Sequence, residues 1–412
     1  MQKTLTLLLF LWCSLAMAQH AQFEGLKRTK PSYLLKIMGW DKGFTFDSVN
    51  ISNGVQRIRN TRLFNEVDGR LEIRNGDSTI IFNCQEVFTI LPILEGGASE
   101  GNKWIRFGVE DENGLGRAIQ TIAFYQYNDR NSYFLKQFYP LLYKKWGLNY
   151  LLKNWSILEP IVEDGAPVVY NYINWDAEIL VQYAFDINRH YIEGGGGYLR
   201  ESFQLPKEQR QGMYEMTEIE SFRRYLVKAN HFFNYQNHNT IYVKGWSSKI
   251  YLQGAYVLDS KVFVGSFLHE VKYFKMLPQK GNLALRSRVG ISSNVNVFLA
   301  PFVLDNYYNM RGIGNRIERG TASVTFNAEY RQTIWENRSF AIQAVGFTDF
   351  GSLRPSGESL PSLTSKRNIR VFSGLGSRFI YKKVYECDLR IDYGFGIMGS
   401  GSGFVVGLGQ YF

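Results

Sequence analysis

The stretch that decides the fold covers residues 301–352. It opens as PFVLDNYYNMRGIGNRIERG (301–320) and continues as TASVTFNAEYRQTIW (321–335). After a turn at Glu336-Asn337-Arg338 it reads RSFAIQAVGFTDFGS (338–352). The middle piece alternates: Ala322, Val324, Phe326, Ala328, Tyr330 and Ile334 fall on one side, and Ser323, Thr325, Asn327, Glu329 and Arg331 on the other. Period two with one apolar and one polar face predicts a strand between two different solvents. In the strand after the turn, Asp349 lies opposite the face of Phe340, Ile342 and Ala344. Ahead of this hairpin is a long loop, 293–320, centred on Met310-Arg311-Gly312-Ile313-Gly314.

Met310-Arg311-Gly312-Ile313 resembles the V-R-G-[FY] motif of the sixth extracellular loop in POTRA-containing outer-membrane barrels, the superfamily of BamA-like insertases and two-partner secretion transporters. Phe347, Asp349 and Gly351 match its F-x-D-x-G motif, at the expected distance downstream. Met310 for Val and Ile313 for an aromatic depart from the pattern, and both keep an apolar group. The resemblance implies that the loop folds back into the barrel lumen and that Arg311 pairs with Asp349 on the inner wall. Glu329 stands where a second carboxylate partner often sits. These residue types fit such a lock, because a guanidinium offers a planar fork that a carboxylate accepts bidentately. Gly312 and Gly314 let the backbone bend tightly and approach the wall.

Farther along, Tyr385, Cys387, Leu389, Ile391, Tyr393 and Phe395 alternate with Glu386, Asp388, Arg390 and Asp392. Four charges on one side of a strand are ruinous in a dry core and comfortable in a wet lumen. Phe404, Val406, Leu408 and Phe412 read as a last outward face backed by Gly403, Gly407 and Gly409. An amphipathic final strand closing on Phe412 resembles the insertion signal of bacterial outer-membrane barrels. Aromatic-rich segments recur about every 20 residues from Trp104 onward, the length of a tilted membrane strand with its connection. About 16 antiparallel strands fit into 94–412. The series starts at Trp104-Ile105-Arg106-Phe107, so the barrel seam is expected between Trp104–Asp111, with Phe107, and Gly403–Phe412. Pro160 to Pro167 reads as an external loop, and Gly194 to Gly197 as a bend or close approach within a strand.

Ahead of the barrel, residues 19–93 read as one small α+β unit. Phe23–Leu26 is a strand, Lys30-Pro31 opens a helix that Gly39 ends, and Asp47 or Ser48 caps a second. Gly54 weakens that second helix. Two strands follow, 63–73 and 78–90, around Asn75-Gly76-Asp77. This order resembles a single POTRA domain, a periplasmic module that receives unfolded clients by strand addition. Residues 1–18 read as a cleaved signal peptide: Lys3, an apolar run from Leu5 to Leu15, and Ala16-Met17-Ala18. Its removal takes the formal charge from +10 to +9 by the loss of Lys3.

Cys84 and Cys387 then fall in different units, and no disulfide is expected between them. The basic excess fits anionic lipid head groups better than nucleic acid, given the export signal. Aromatic residues make up 16% of the chain, which suits a barrel with aromatic girdles. The five histidines show no metal-ligand spacing, and Gly394, Gly396 and Gly399 match G-x-G-x-x-G without a following helix. The sequence therefore predicts no enzyme, cofactor or metal. It predicts an all-β outer-membrane barrel of Gram-negative type, monomeric, preceded by one periplasmic POTRA domain. Its expected partners are membrane lipids and, as the resemblance implies, an unfolded outer-membrane or secreted polypeptide that the barrel inserts or translocates. A passive channel or structural barrel, or a lipid-moving member, with the same architecture is the alternative.

Overall fold

The computed structural model describes residues 20–412 except 42, 44–46, 75–76, 100–101, 129, 164–165, 206–217, 295, 307, 314–317 and 400. The expected signal peptide, the turn residues Asn75-Gly76 and Gly314 lie outside the described residues.

The leading unit comprises strand β1 (His20–Glu24), helices Pro31–Met38 and Ser48–Arg59, and strands β2 (Phe64–Arg74) and β3 (Asp77–Glu86). Pro31 starts the first helix, where its missing N–H costs nothing, and Gly39 closes it in the left-handed conformation at φ 75°. Asp47 caps the second by accepting from the Asn50 N–H at 2.7 Å. Gly54 sits mid-helix for packing: a Cβ there would stand 3.1 Å from the Met38 sulfur and 3.3 Å from the rings of Phe82 and Trp40. The sheet order is β1-β3-β2, with β1 parallel to β3 and β2 antiparallel to it. Leu34, Ile37, Ile58, Leu63, Ile80 and Phe82 form its fully buried core.

The barrel begins with β4 (Ile90–Ser99), β5 (Asn102–Gly114), β6 (Ile119–Tyr127), β7 (Asn131–Tyr143), β8 (Trp146–Glu163) and β9 (Ala166–Asp186). It continues through β10 (His190–Gln204), β11 (Glu218–Asn234), β12 (Asn237–Asn239), β13 (Tyr242–Val257), β14 (Val262–Leu277) and β15 (Gly281–Ser292). Two short strands, β16 (Phe302–Leu304) and β17 (Glu318–Gly320), pair with each other in the loop that follows. The wall resumes with β18 (Ala322–Glu336), β19 (Phe340–Arg354), β20 (Ile369–Tyr381), β21 (Asp388–Met398) and β22 (Ser402–Leu408). Seventeen strands close the circle, β22 next to β4; β11 and the three-residue β12 both pair with β13, which leaves sixteen staves.

The solvent pattern is inverted relative to a soluble protein. On β18, Phe326, Tyr330 and Ile334 are exposed while Ser323, Thr325, Asn327, Glu329, Arg331 and Thr333 are buried. On β21, Leu389, Tyr393 and Phe395 face out, and Asp388, Arg390 and Asp392 face in. An outward apolar band and an inward polar wall are what a hydrocarbon solvent requires. No described helix is long and apolar enough to cross a membrane.

Four sequence expectations change. The first stave is β4, because Ile90–Ser99 pairs with β5 along its whole length. Pro92 disguises this strand in the sequence, and a proline is tolerated in a strand beside the seam. The barrel therefore starts at residue 90, inside what read as the leading unit. Trp104 and Phe107 lie on β5, the second stave, away from the seam. Pro160 pairs with Val169 and Val162 with Pro167, so β8 and β9 run on as one long hairpin instead of a loop. Tyr385 to Cys387 form a turn, and Tyr385 packs against the core of the leading unit. At Gly195 and Gly197, a Cβ would collide with the carbonyl oxygens of Ile179 and Ala177, a close approach of neighbouring strands.

The leading unit lies across the turn end of the barrel. Arg28 grips Asp111 with two hydrogen bonds, 2.8 and 3.1 Å, and the Lys30 N–H donates to the Gly116 carbonyl at 2.8 Å. Arg57 grips Asp186 at 2.8 and 3.1 Å, and Arg62 pairs with Glu386. Gln56 donates to the His238 carbonyl at 3.0 Å. Bidentate pairs hold geometry as well as charge, so these turns fix the unit over the mouth.

Candidate functional site

The loop between β15 and β18 turns back into the lumen. Asp305 organises its tip: its carboxylate accepts the Tyr308 and Asn309 N–H groups at 3.0 and 2.9 Å, and its carbonyl accepts the Met310 N–H at 2.9 Å. The Gly312 N–H donates to Asn306 Oδ1 at 2.8 Å, with Gly312 at φ 93°. These bonds project Arg311 onto the inner wall.

There the Arg311 Nε and Nη2 donate to the two oxygens of Asp349 at 2.9 and 3.0 Å, and its main-chain N–H donates to Asp349 Oδ2 at 2.9 Å. Nη1 donates to Glu329 and stands 3.8 Å from Asp392. Strand register places the partners: Glu329 is opposite Phe347, and Asn327 opposite Asp349, across β18 and β19. Phe347 lies flat beneath the guanidinium, its ring centre 3.6 Å from the Arg311 Cζ. Gly351 supplies room, since a Cβ there would collide with the Met310 sulfur and stand 3.0 Å from Leu304. Each residue of the Phe347, Asp349, Gly351 triplet therefore meets one feature of the loop: a π face for the cation, a carboxylate for the fork, and a gap for the apolar neighbour.

Glu329 is shared. Arg331 donates to it at 2.6 Å and Arg378 at 3.2 Å, and Arg378 also donates to Asp392 at 2.7 Å. Arg311, Arg331 and Arg378 thus face Glu329, Asp349 and Asp392, three charges of each sign, all of them buried. Asn327 bridges the wall to the loop, donating to Asp349 at 2.8 Å and to the Asn309 carbonyl at 2.9 Å. Charges this deep are tolerated only when paired and hydrogen-bonded.

No family model matches the chain, and no curated protein matches it. Solved structures do. BamA from Haemophilus ducreyi lacking POTRA domains 1–3 is 14% identical, with a TM-score of 0.53 over 94% of this chain and 82% of that one. CdiB from Acinetobacter baumannii is 14% identical, TM-score 0.59, over 95% of this chain and 74% of that chain. CdiB from Escherichia coli is 11% identical, TM-score 0.62, with the same coverage. The chain has the fold of the BamA and CdiB barrels.

Within that fold, Arg311, Gly312, Glu329, Phe347, Asp349 and Gly351 come together in one cluster. The residues expected at the seam do not. Trp104 points inward on β5 and Phe107 outward, and neither touches β22 in the strand order. Gly403 and Gly407 are on β22. Phe412 lies past the end of that strand and turns inward, its ring 5.0 Å from the Arg286 guanidinium. The outward apolar face of β22, Phe404, Val406 and Leu408, therefore ends at Leu408. Sequence reasoning missed Arg331, Arg378 and Asp392 as members of the cluster. Alternation placed Arg331 and Asp392 on inward faces, but their depth in the lumen depends on strand stagger. Cys84 and Cys387 are both free thiols; burial pushes the Cys84 thiol up to about 12.

Proposed function

We propose that this protein is an outer-membrane barrel that handles polypeptide clients, inserting them into that membrane or moving them across it. The observation that carries the reading is the inward loop held through Arg311 on Phe347 and Asp349, within a fold shared with BamA and CdiB. In this reading the leading α+β unit is a single POTRA domain in the periplasm. Strand β2 is an edge of its sheet, with Leu71 and Ile73 exposed, and a client would add as a further strand there. The client would then meet the junction of β4 and β22. At seven residues, β22 is the shortest stave described. Its glycines, Gly403 and Gly407, weaken strand pairing further, and this favours transient opening.

A passive channel is the competing function. The loop inside the lumen and the unit across the mouth both argue for client handling. Reconstitution in planar bilayers and proteoliposomes, with a photo-crosslinker at Leu71 and another at Phe404, separates the two. Client handling predicts crosslinks from an unfolded outer-membrane client to Leu71 first and Phe404 later, with a closed resting conductance. A steady open-pore current with no crosslink at either position would overturn the proposal.

A further inference from the structure

Arg286, on β15, is a fully buried guanidinium that forms no ion pair with a carboxylate among the described residues. Its Nε and Nη2 donate to Asn327 Oδ1 at 3.0 and 2.9 Å, Nη2 also donates to the Tyr308 carbonyl, and Nη1 has no hydrogen-bond partner. What surrounds it instead is aromatic. The ring centres of Tyr411 and Phe412 lie 5.3 and 5.0 Å from its Cζ.

Those two rings gather further cations. Tyr411, almost fully buried, has Arg311 at 4.2 Å and Arg390 at 5.0 Å from its ring centre. Phe412 has Arg331 at 5.8 Å, and the Arg331 Nη2 donates to the Phe412 main-chain oxygen at 3.2 Å. Desolvated guanidinium groups bind π faces strongly, and four of them around two rings make a recognition surface for aromatic side chains with a main-chain acceptor. The rings arrive on residues 409–412, which leave β22 and turn inward; the Gln410 side chain donates to Asp388 at 2.9 Å. A cavity of about 90 Å³ at the barrel mouth borders the site through Arg331 and Gln410.

We infer that Arg286, Arg311, Arg331 and Arg390 form a binding site for aromatic peptide segments, occupied in cis by Tyr411 and Phe412. The natural ligand, an aromatic segment of a polypeptide client, rests on the function proposed above. The binding itself does not.

The test uses the full chain in detergent, with Tyr411→Ala and Phe412→Ala combined to vacate the site. Fluorescence anisotropy follows a labelled Gly-Gln-Tyr-Phe tetrapeptide, the chain's own residues 409–412, with Gly-Gln-Ala-Ala as control. The vacated chain should bind the aromatic peptide at least about tenfold more tightly than the control, and the native chain, already occupied, should bind neither. Adding Arg286→Gln to the vacated chain should weaken binding by about tenfold. Should the alanine pair lose its heat-modifiable migration on gels, Tyr411→Leu with Phe412→Leu keeps the apolar volume and lacks the π faces. The aromatic peptide should then displace the leucines. Equal affinity for both peptides, equal binding by native and vacated chains, or indifference to Arg286→Gln would each overturn the inference. A null result in the client assay leaves these outcomes readable.

Discussion

Gly312 rests directly against Gly394. A Cβ on Gly312 would stand 2.7 Å from the carbonyl group of Gly394, and one on Gly394 would stand 2.6 Å from the Arg311 carbonyl oxygen. Loop and wall touch backbone to backbone, so the reach of Arg311 to Asp349 depends on two absent side chains from distant parts of the sequence.

Gly394→Val should therefore push the loop off the wall while the barrel itself persists. Heat-modifiable migration should survive, and trypsin should begin to cleave after Arg311, which is fully buried in the native chain. Continued protection of Arg311 would show that the close approach does not position the loop.

Removing one partner of a buried pair costs roughly 3 to 5 kcal/mol, because the other charge stays uncompensated. Here Glu329 and Asp392 remain near Arg311, so Asp349→Ala should fall toward the low end of that range. Arg311→Ala should be the more costly change, since it leaves Asp349 with Asn327 as its remaining side-chain partner and no cation, while Glu329 keeps Arg331 and Arg378. Arg311→Lys should rescue poorly for want of the planar fork. The double variant Arg311→Ala with Asp349→Ala should be less destabilised than the sum of the singles, read from urea midpoints. Strict additivity would mean that the two side chains act separately.

Strand parity can be read chemically. Single cysteines at Phe326 and Tyr330 should react with a maleimide dissolved in lipid. Cysteines at Thr325 and Thr333 should resist that probe, because those positions are buried behind the wall. Equal labelling at all four would refute the assigned faces.

The pH dependence of docking should run through His238, which sits at the turn end of the barrel beneath the leading unit. Burial, and next the positive charge of Arg62, hold its imidazole down at about 3 from an ordinary 6.5, so the docked form is neutral. A group whose folded value is depressed contributes fully above its unfolded value and loses that contribution as pH falls. Docking of the leading unit should thus be intact above about pH 6.5 and weaken progressively toward pH 3. Hydrogen exchange in the helix Ser48–Arg59, corrected for intrinsic rates, should show lower protection at pH 5 than at pH 7. His238→Gln should flatten the difference; an unchanged slope would assign it to other groups.

Alternation by itself determined the wall of this protein. Ser323, Thr325, Asn327, Glu329 and Arg331 had to face a polar interior, and Phe326 and Tyr330 an apolar exterior, because a strand turns successive side chains to opposite sides. The number of staves was legible from the spacing of the segments and the order of the leading α+β unit from its caps and turns, while the Arg311, Phe347, Asp349, Gly351 set was legible through its resemblance to the family motifs. What only the tertiary structure decided is which inward residues stand at one depth. Asn327 meets Asp349, Arg378 reaches both Glu329 and Asp392, and Gly312 meets Gly394 because strands of different length are staggered around a closed circle. The inward turn of Tyr411 and Phe412 was hidden too. Their local pattern continues an outward face, and buried guanidinium groups contributed by several separate segments of the chain draw the rings inside.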